Sequence, residues 1–137
     1  MKAEELRIGN LINGIYYEYE NDEESEEIEN ETICKVVTLD VADMCEYRIY
    51  VESEEADIEI FSEFKPIPLT EEWLLTLGFV KNKEHGYFEF DRIIVALHDG
   101  VDQFYLCDID IFVKIETVHH LQNLYFAIRS KELTLKQ

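Results

Sequence analysis

The chain has 137 residues, a size typical of one globular domain, and 47% of them are hydrophobic, which is enough to form a core. Twelve basic and 31 acidic residues give a formal net charge of −19. Charge of this sign repels phosphate backbones and anionic lipid headgroups, so direct binding to nucleic acid or to a membrane surface is disfavoured. The composition therefore predicts a folded, strongly acidic protein whose partners are not polyanions.

The negative charge is concentrated in the first half of the chain. Residues 1–68 hold 20 acidic and 5 basic residues, a net −15, whereas residues 69–137 hold 11 and 7, a net −4. Nine carboxylates with no cation between them occupy one short segment: Glu18, Glu20, Asp22, Glu23, Glu24, Glu26, Glu27, Glu29 and Glu31. Such a segment cannot bury itself, so we predict an acidic surface loop over residues 18–31. The loop is either solvated, or binds a cation, or imitates polyphosphate toward a basic protein partner.

Alternation of apolar and polar residues predicts a small antiparallel sheet or open barrel in the first lobe, residues 1–68. One strand or a hairpin is expected at residues 7–17, and further strands are expected at residues 33–41, 47–52 and 58–61. The pairs Gly9-Asn10 and Asn13-Gly14 are both typical of turns. Pro66 and Pro68 then stiffen the chain and end sheet pairing, which places a boundary between two lobes at this point.

The second lobe, residues 69–137, is predicted to be a helix, a four-stranded meander and a second helix. Thr70 can cap a helix over residues 71–77. Gly78 lies where a residue in the left-handed conformation is expected to end that helix. Strands follow at residues 87–90, 92–97, 101–107 and 109–115, with Asp99-Gly100 as a hairpin turn. Thr117 can cap the second helix, which has one apolar stripe: Val118, Leu121, Leu124, Tyr125 and Ile128. The predicted fold is therefore one α+β domain over residues 1–137, rich in antiparallel sheet and built from two lobes.

The face of the second helix opposite this stripe carries His119, Asn123 and Phe126, with His120 and Gln122 beside them. Amide and aromatic side chains are typical of interface centres, so this face is either a contact patch or a surface that the first lobe covers. Trp73 of the first helix would lie near it if the two lobes enclosed a pocket.

Catalytic and metal-binding motifs are not recognised in the sequence. His98, His119, His120 and Cys107 offer zinc-type ligands, but their spacings match no usual framework, and we expect no metal and no cofactor. The three cysteines are odd in number and lack CxxC spacing, which favours reduced thiols. The N-terminal segment lacks the apolar region of a signal peptide, and no stretch approaches the length of a membrane span, so we expect a cytoplasmic protein.

Three groups of residues carry a resemblance to a known family. They are Glu5-Leu6-Arg7-Ile8-Gly9-Asn10, the run Pro66 to Leu74 followed by Leu77-Gly78-Phe79, and His119 to Ala127. Together they resemble the anchor motifs of small bacterial proteins of uncharacterised function that are associated with phages and mobile elements. The chain departs from that pattern at His120, where glutamine is expected, and at Arg129-Ser130-Lys131, where the family has a glycine-containing helix end. The resemblance implies no activity.

We therefore predict a non-enzymatic interaction or accessory protein of phage or mobile-element type, which acts through a protein partner, with a basic protein as one candidate for that partner. Its expected contact surfaces are the acidic segment and the face that carries His119, Asn123 and Phe126. The alternative is a domain that binds a small ligand, or that assists a nucleic-acid enzyme, with a pocket between the lobes near Trp73. The sequence does not specify the oligomeric state or the biological process.

Overall fold

The structure is a computed structural model that describes residues 5–19, 27–41, 47–53, 63–97, 103–108 and 111–135. It contains two antiparallel sheets and two helices, which confirms the predicted sheet-rich α+β class. The chain separates into two compact units, Met1–Ile67 and Pro68–Gln137. The change of unit falls within the Pro66 to Pro68 segment, and the prediction that both lobes form one domain stays a prediction.

The first unit contains a four-stranded sheet in the order β3-β2-β1-β4. Its strands are β1 (Leu11–Tyr19), β2 (Glu27–Val41), β3 (Tyr47–Glu52) and β4 (Glu63–Lys65). Neighbouring strands are antiparallel throughout, and β2 is the central strand that the apolar pattern predicts. One side of this sheet forms a hydrophobic core: Leu6, Ile12, Cys34, Val36 and Val51, with Phe64 packed against them. The predicted strand at residues 58–61 lies outside the described residues.

A tight turn leads into β1, as Gly9-Asn10 predicts. Gly9 has a φ of 96°, which the absence of a Cβ atom permits. The side-chain Oδ1 of Asn10 accepts a hydrogen bond from the backbone N–H of Arg7 at 2.7 Å. Of the two alternatives for this segment, the structure has the strand and not the hairpin, because Asn13 and Gly14 lie inside β1 and pair with Ile33 and Thr32 of β2. Burial of the apolar residues on both sides of this pair outweighs its local turn preference.

The second unit begins with a short helix, α1 (Glu71–Thr76), which confirms the predicted element and its signals. The hydroxyl of Thr70 accepts a hydrogen bond from the backbone N–H of Trp73 at 3.2 Å. Gly78 ends the turn with a φ of 98°. The positive φ favours glycine, and a Cβ atom at Gly78 would lie 3.3 Å from the Phe90 ring, which would have to shift slightly to make room for it.

The meander is a five-stranded antiparallel sheet in sequence order. Its strands are β5 (Val80–Lys81), β6 (Phe88–Phe90), β7 (Ile93–Leu97), β8 (Phe104–Asp108) and β9 (Ile111–Ile115). Four of them confirm the predicted strands, whereas the two-residue strand β5 was not predicted because two residues carry no periodicity. The predicted turn at Asp99-Gly100 lies outside the described residues.

The second helix, α2 (Val118–Arg129), packs on one face of this sheet through the ring contact between Phe90 and Tyr125, whose centroids lie 5.8 Å apart. Thr117 caps it as predicted, accepting a hydrogen bond from the backbone N–H of His120 at 3.2 Å. Ser130 takes the place of the missing glycine at the helix end, with a φ of 56°. Neither helix of the described chain is long and apolar enough to cross a membrane.

Candidate functional site

The helix face singled out in the sequence is not one exposed patch. His119 is 4% exposed and Gln122 only 1% exposed, while Asn123 is half-buried and Phe126 is exposed. The buried part of α2 therefore extends beyond the predicted apolar stripe to include these two polar residues. Trp73 is half-buried in α1. The four predicted binding residues thus differ in accessibility, and only Phe126 among them offers a large exposed surface.

Gln122 has a structural role that the sequence did not indicate. Its side-chain Nε2 donates a hydrogen bond to the backbone carbonyl of Leu133 at 3.0 Å, and the Leu133 side chain is buried. A buried amide that bonds a backbone group costs little to bury, and it fixes the segment after α2. Helical spacing alone gives no signal for a hydrogen bond to a residue beyond the helix.

The acidic segment is not a loop along its whole length. Glu18 lies in β1, and Glu27, Glu29 and Glu31 lie in β2, where Glu27 pairs with Tyr19. The predicted loop is therefore wrong at both ends, because the tyrosines of β1 favour a strand and antiparallel pairing extends it into the carboxylates. Glu29 and Glu31 are exposed. The other carboxylates, Glu20 to Glu26, lie outside the described residues.

The strand register of the second sheet places a row of five side chains across the face opposite α2. One residue comes from each strand, in the order Val80, Glu89, Ile94, Cys107 and Phe112. Ala96, Tyr105 and Lys114 form a shorter row beside it on the same face. We call these eight residues the outer face. Six of the eight are apolar or aromatic, although a solvated sheet face is normally polar.

Aromatic stacking dominates one side of the outer face. The rings of Tyr105 and Phe112 are nearly parallel, with centroids 4.6 Å apart and an interplanar angle of 10°. Phe112 is 66% exposed, and Tyr105 is half-buried beneath it. The hydroxyl of Tyr105 donates a hydrogen bond to Oε1 of Gln103 at 3.1 Å. The pair therefore presents a rigid, flat apolar surface to solvent.

The two thiols in the described part of the chain, Cys34 and Cys107, both have raised pKa values. Burial raises the pKa of Cys107, which lies half-buried on the outer face. Burial also raises the pKa of Cys34 in the core of the first unit, where the neighbouring Gly14 backbone and Ser53 hydroxyl only partly oppose it. A raised pKa lowers the thiolate fraction, and the thiolate is the nucleophile. Cys45 and His98 lie outside the described residues, and among the described ones no three His, Cys, Asp or Glu side chains are grouped to hold a metal ion.

A hydrogen-bonded cluster joins the end of α2 to the turn between β6 and β7. Nε and an Nη of Arg129 donate to the backbone carbonyl of Asp91 at 3.1 and 3.0 Å, and the Tyr125 hydroxyl donates to the Asp91 carboxylate at 2.9 Å. Burial raises the pKa of Tyr125, and the neighbouring Asp91 carboxylate raises it by a smaller amount. Asp91 and Arg92 have φ values of 48° and 66°, so these bonds hold a strained two-residue turn.

Comparison of the chain with models of protein families, with curated proteins and with solved structures finds no match. The resemblance to phage-associated and mobile-element proteins therefore stays a prediction that its sequence motifs support.

Proposed function

We propose that this chain is a non-enzymatic accessory protein, of phage or mobile-element type, that binds another protein through the outer face of its second sheet. The observation that carries the proposal is the exposed Phe112 ring stacked on Tyr105, at the end of a five-strand row in which every residue except Glu89 is apolar. Scattered exposed apolar residues are ordinary, whereas a contiguous set on one face is typical of interaction sites.

The composition of the outer face suits a protein partner. Aromatic residues are enriched at the centres of interfaces and charged residues are depleted there. Only Glu89 and Lys114 among its eight residues carry a formal charge. A stacked aromatic pair loses little conformational entropy on binding, because each ring is already held by the other. Phe112 and Tyr105 are therefore the residues whose truncation is expected to weaken binding most.

A basic partner remains part of the proposal because of the charge of the first unit. Glu29 and Glu31 are exposed on β2, and they belong to the segment with nine carboxylates. Charge of this kind speeds the encounter with a positively charged protein and adds less to the final affinity. We expect the outer face to supply most of the contact and the acidic segment to supply long-range attraction.

The proposal assigns no catalytic role. A cysteine nucleophile needs a depressed pKa, and the pKa values of Cys34 and Cys107 are both raised. The Tyr125 phenol also has a raised pKa, and its hydroxyl is engaged with Asp91.

Affinity capture from the native host with the full chain as bait tests the proposal. Phe112→Ser should lose the captured partner, while Leu75→Ser, which removes an exposed leucine from α1, should retain it. A chain with Glu29→Gln and Glu31→Gln, which removes two exposed charges of the acidic segment and leaves β2 in place, should capture the same partner more slowly and with weaker salt dependence. If Phe112→Ser and Leu75→Ser capture the same proteins as the unchanged chain, the outer face is not the binding surface.

A further inference from the structure

The chain that follows α2 turns back and returns toward the middle of the helix. The carbonyl of Leu133 accepts the hydrogen bond from Nε2 of Gln122 at 3.0 Å. Gln122 lies seven residues before the helix end at Arg129, which is about 10 Å along the helix axis. The chain must therefore reverse direction at Ser130. Leu133 belongs to a stretch, residues 132–135, that has no regular secondary structure of its own.

Burial in this segment is confined to one side chain. Among residues 131–135 only Leu133 is buried, and its four neighbours are exposed. Gln122, which bonds the Leu133 main chain, is itself 1% exposed. A pocket for one apolar side chain, beside a buried polar group that bonds the main chain, is an arrangement by which proteins bind extended peptides. The contact is therefore built like a peptide-binding site, and the chain's own segment fills it.

The junction between α2 and this segment is strained while the segment is docked. Ser130 has a φ of 56° and a ψ of 29°, a left-handed conformation that residues other than glycine rarely adopt. Its backbone N–H donates to the carbonyl of Phe126 at 2.8 Å. Release of the segment would let Ser130 return to an ordinary φ. The strain therefore brings the released state closer in free energy to the docked state.

The charge of the segment is opposite in sign to that of the rest of the chain. Residues 131–137 hold two lysines and one glutamate, a net +1, so the other 130 residues hold 10 basic and 30 acidic residues, a net −20. A negative chain attracts a leucine-bearing segment whose own protein is basic. The same segment on a second copy would bring −20 charges with it, and the two copies would repel each other. Charge therefore favours a basic partner protein over a second copy.

We infer that the second unit contains a binding site for an extended, leucine-bearing segment of a basic partner protein, and that residues 131–135 occupy this site when the partner is absent. The partner's leucine side chain takes the place of Leu133, and the carbonyl of that leucine accepts the Gln122 hydrogen bond. The chain's own segment then competes with the partner. The apparent affinity for the partner equals the intrinsic affinity reduced by the fraction of chains in which the segment is released.

Fluorescence anisotropy of a labelled peptide with the sequence of residues 131–137 tests the inference, with the full chain as receptor. Leu133→Ser weakens docking of the chain's own segment, so this variant should bind the peptide at least about tenfold more tightly than the unchanged chain. Leu135→Ser alters a leucine that is 41% exposed, and it is the matched control that should bind like the unchanged chain. A peptide that carries the Leu133→Ser change should bind to none of these chains.

Two changes at Ser130 protect the test against a folding defect in Leu133→Ser. Ser130→Pro cannot adopt a φ of 56°, so it releases the segment without removing a buried side chain and should bind the peptide more tightly. Ser130→Gly adopts this φ without strain and favours the docked segment, so its peptide binding should be weaker by about twofold to fivefold. Far-ultraviolet circular dichroism should show unchanged secondary structure in each variant.

Further changes separate the hydrogen bond from the charge. In the Leu133→Ser chain, Gln122→Met removes the donor but keeps a side chain of similar length, and peptide binding should weaken by about threefold to tenfold. A peptide with Glu132→Lys carries a net +3 by the same count and should bind more tightly than the +1 peptide. This advantage should shrink between about 0.05 M and about 0.5 M salt, because salt screens the attraction.

The inference is overturned if folded Leu133→Ser and Ser130→Pro chains bind the peptide no more tightly than the unchanged chain does. A second copy as occupant gives a different result. The unchanged chain would then form a dimer whose fraction rises with concentration in sedimentation equilibrium, and Leu133→Ser would abolish it. That outcome also overturns the assignment of the site to a partner protein.

The peptide site does not depend on the proposed function, because it lies on α2, which packs on the inner face of the sheet. Phe112→Ser alters the outer face only and should leave peptide binding by the Leu133→Ser chain unchanged. Failed peptide binding with normal Phe112-dependent capture would overturn the peptide site alone. Peptide binding that persists while capture is insensitive to Phe112→Ser would overturn the proposed function alone.

Discussion

The two faces of the five-stranded sheet carry similar side chains in opposite surroundings. Phe88, Val95 and Leu106 on the inner face are fully buried, and α2 packs on this face through Tyr125 and Phe90. Phe112 and Tyr105 on the outer face are stacked on each other, and the Phe112 ring is open to solvent. Apolar character therefore does not distinguish core from surface in this sheet. A helix covers one face and a ring pair only partly shields the other.

The largest expected effect separates two phenylalanines on these faces. Phe88→Ala should lower the free energy of unfolding by about 3–5 kcal/mol, because Phe88 is 1% exposed and its removal leaves a cavity. Phe112→Ala is the matched control and should cost no more than about 1.5 kcal/mol, the value of an aromatic pair. Urea unfolding measures both. Equal losses would mean that the outer face is as tightly packed as the inner one.

A smaller loss of stability is expected where Arg129 of α2 is hydrogen-bonded to the turn that joins β6 to β7. Arg129→Ala removes two hydrogen bonds to the Asp91 carbonyl and should cost about 1–2 kcal/mol. Arg92→Ala changes an exposed side chain in the same turn, and it should alter stability by no more than about 0.5 kcal/mol. The same urea unfolding measurement applies. If the two variants are equally stable, the Arg129 contact does not hold the helix on the inner face.

The end of α2 offers a change in the stabilising direction. Ser130 has a φ of 56°, which glycine adopts without strain, so Ser130→Gly should raise the free energy of unfolding by about 0.5–1 kcal/mol. Lys131→Gly is the control at the next position, where φ is not positive, and it should be neutral or destabilising. The midpoint of thermal unfolding reports both. A destabilised Ser130→Gly would show that the serine side chain itself is needed there.

Cysteine labelling compares the accessibility of Cys34, in the core of the first unit, with that of Cys107 on the outer face. In a Cys45→Ser background, half-buried Cys107 should react with a thiol reagent at least about tenfold faster than Cys34, which reacts only after local opening. Mass spectrometry of the labelled protein assigns each site. Labelling of Cys34 before Cys107 would contradict the exposure of the outer face.

The same two thiols make the free energy of unfolding depend on pH. The pKa values of Cys34 and Cys107 are raised in the folded state, so the folded chain holds these protons more tightly than the unfolded chain does. The resulting stability is complete below the ordinary value of 9.0 and is lost as the pH rises through the higher folded values. Urea unfolding on both sides of this value should show the fall, and Cys34→Ala should reduce it. An unchanged slope in Cys34→Ala would mean that Cys34 does not contribute.

Several elements of the fold follow from local chemistry, and the sequence was sufficient to predict them. The caps Thr70 and Thr117 and the stop at Gly78 depend on neighbouring backbone groups, which lie within a few residues in the sequence. Apolar and polar residues also alternate along residues 109–115, and in β9 the structure exposes Phe112 and buries Ile115. The antiparallel meander also follows, because short connections join its strands.

The predicted site could not be recovered from helical spacing, because packing decided the exposure of each residue. His119 and Gln122 are polar, so the pattern assigned them to the face opposite the apolar stripe, yet both are buried. The Gln122 bond to the Leu133 carbonyl, which helps to explain this burial, joins residues 11 positions apart. The outer face was missed for a related reason. Its row combines one residue from each of five strands, and only the strand register brings them together.

The sequence by itself determined the class of fold, the acidic character and the ends of the short helix, since each depends on composition or on contacts between near neighbours. Tertiary structure decided which apolar surface is covered, and it drew Asn13-Gly14 and the ends of the acidic segment into strands. It also fixed Ser130 in a conformation that glycine prefers. Burial and cross-strand pairing involve residues far apart in the chain, and their combined free energy outweighs local preferences of about 1 kcal/mol.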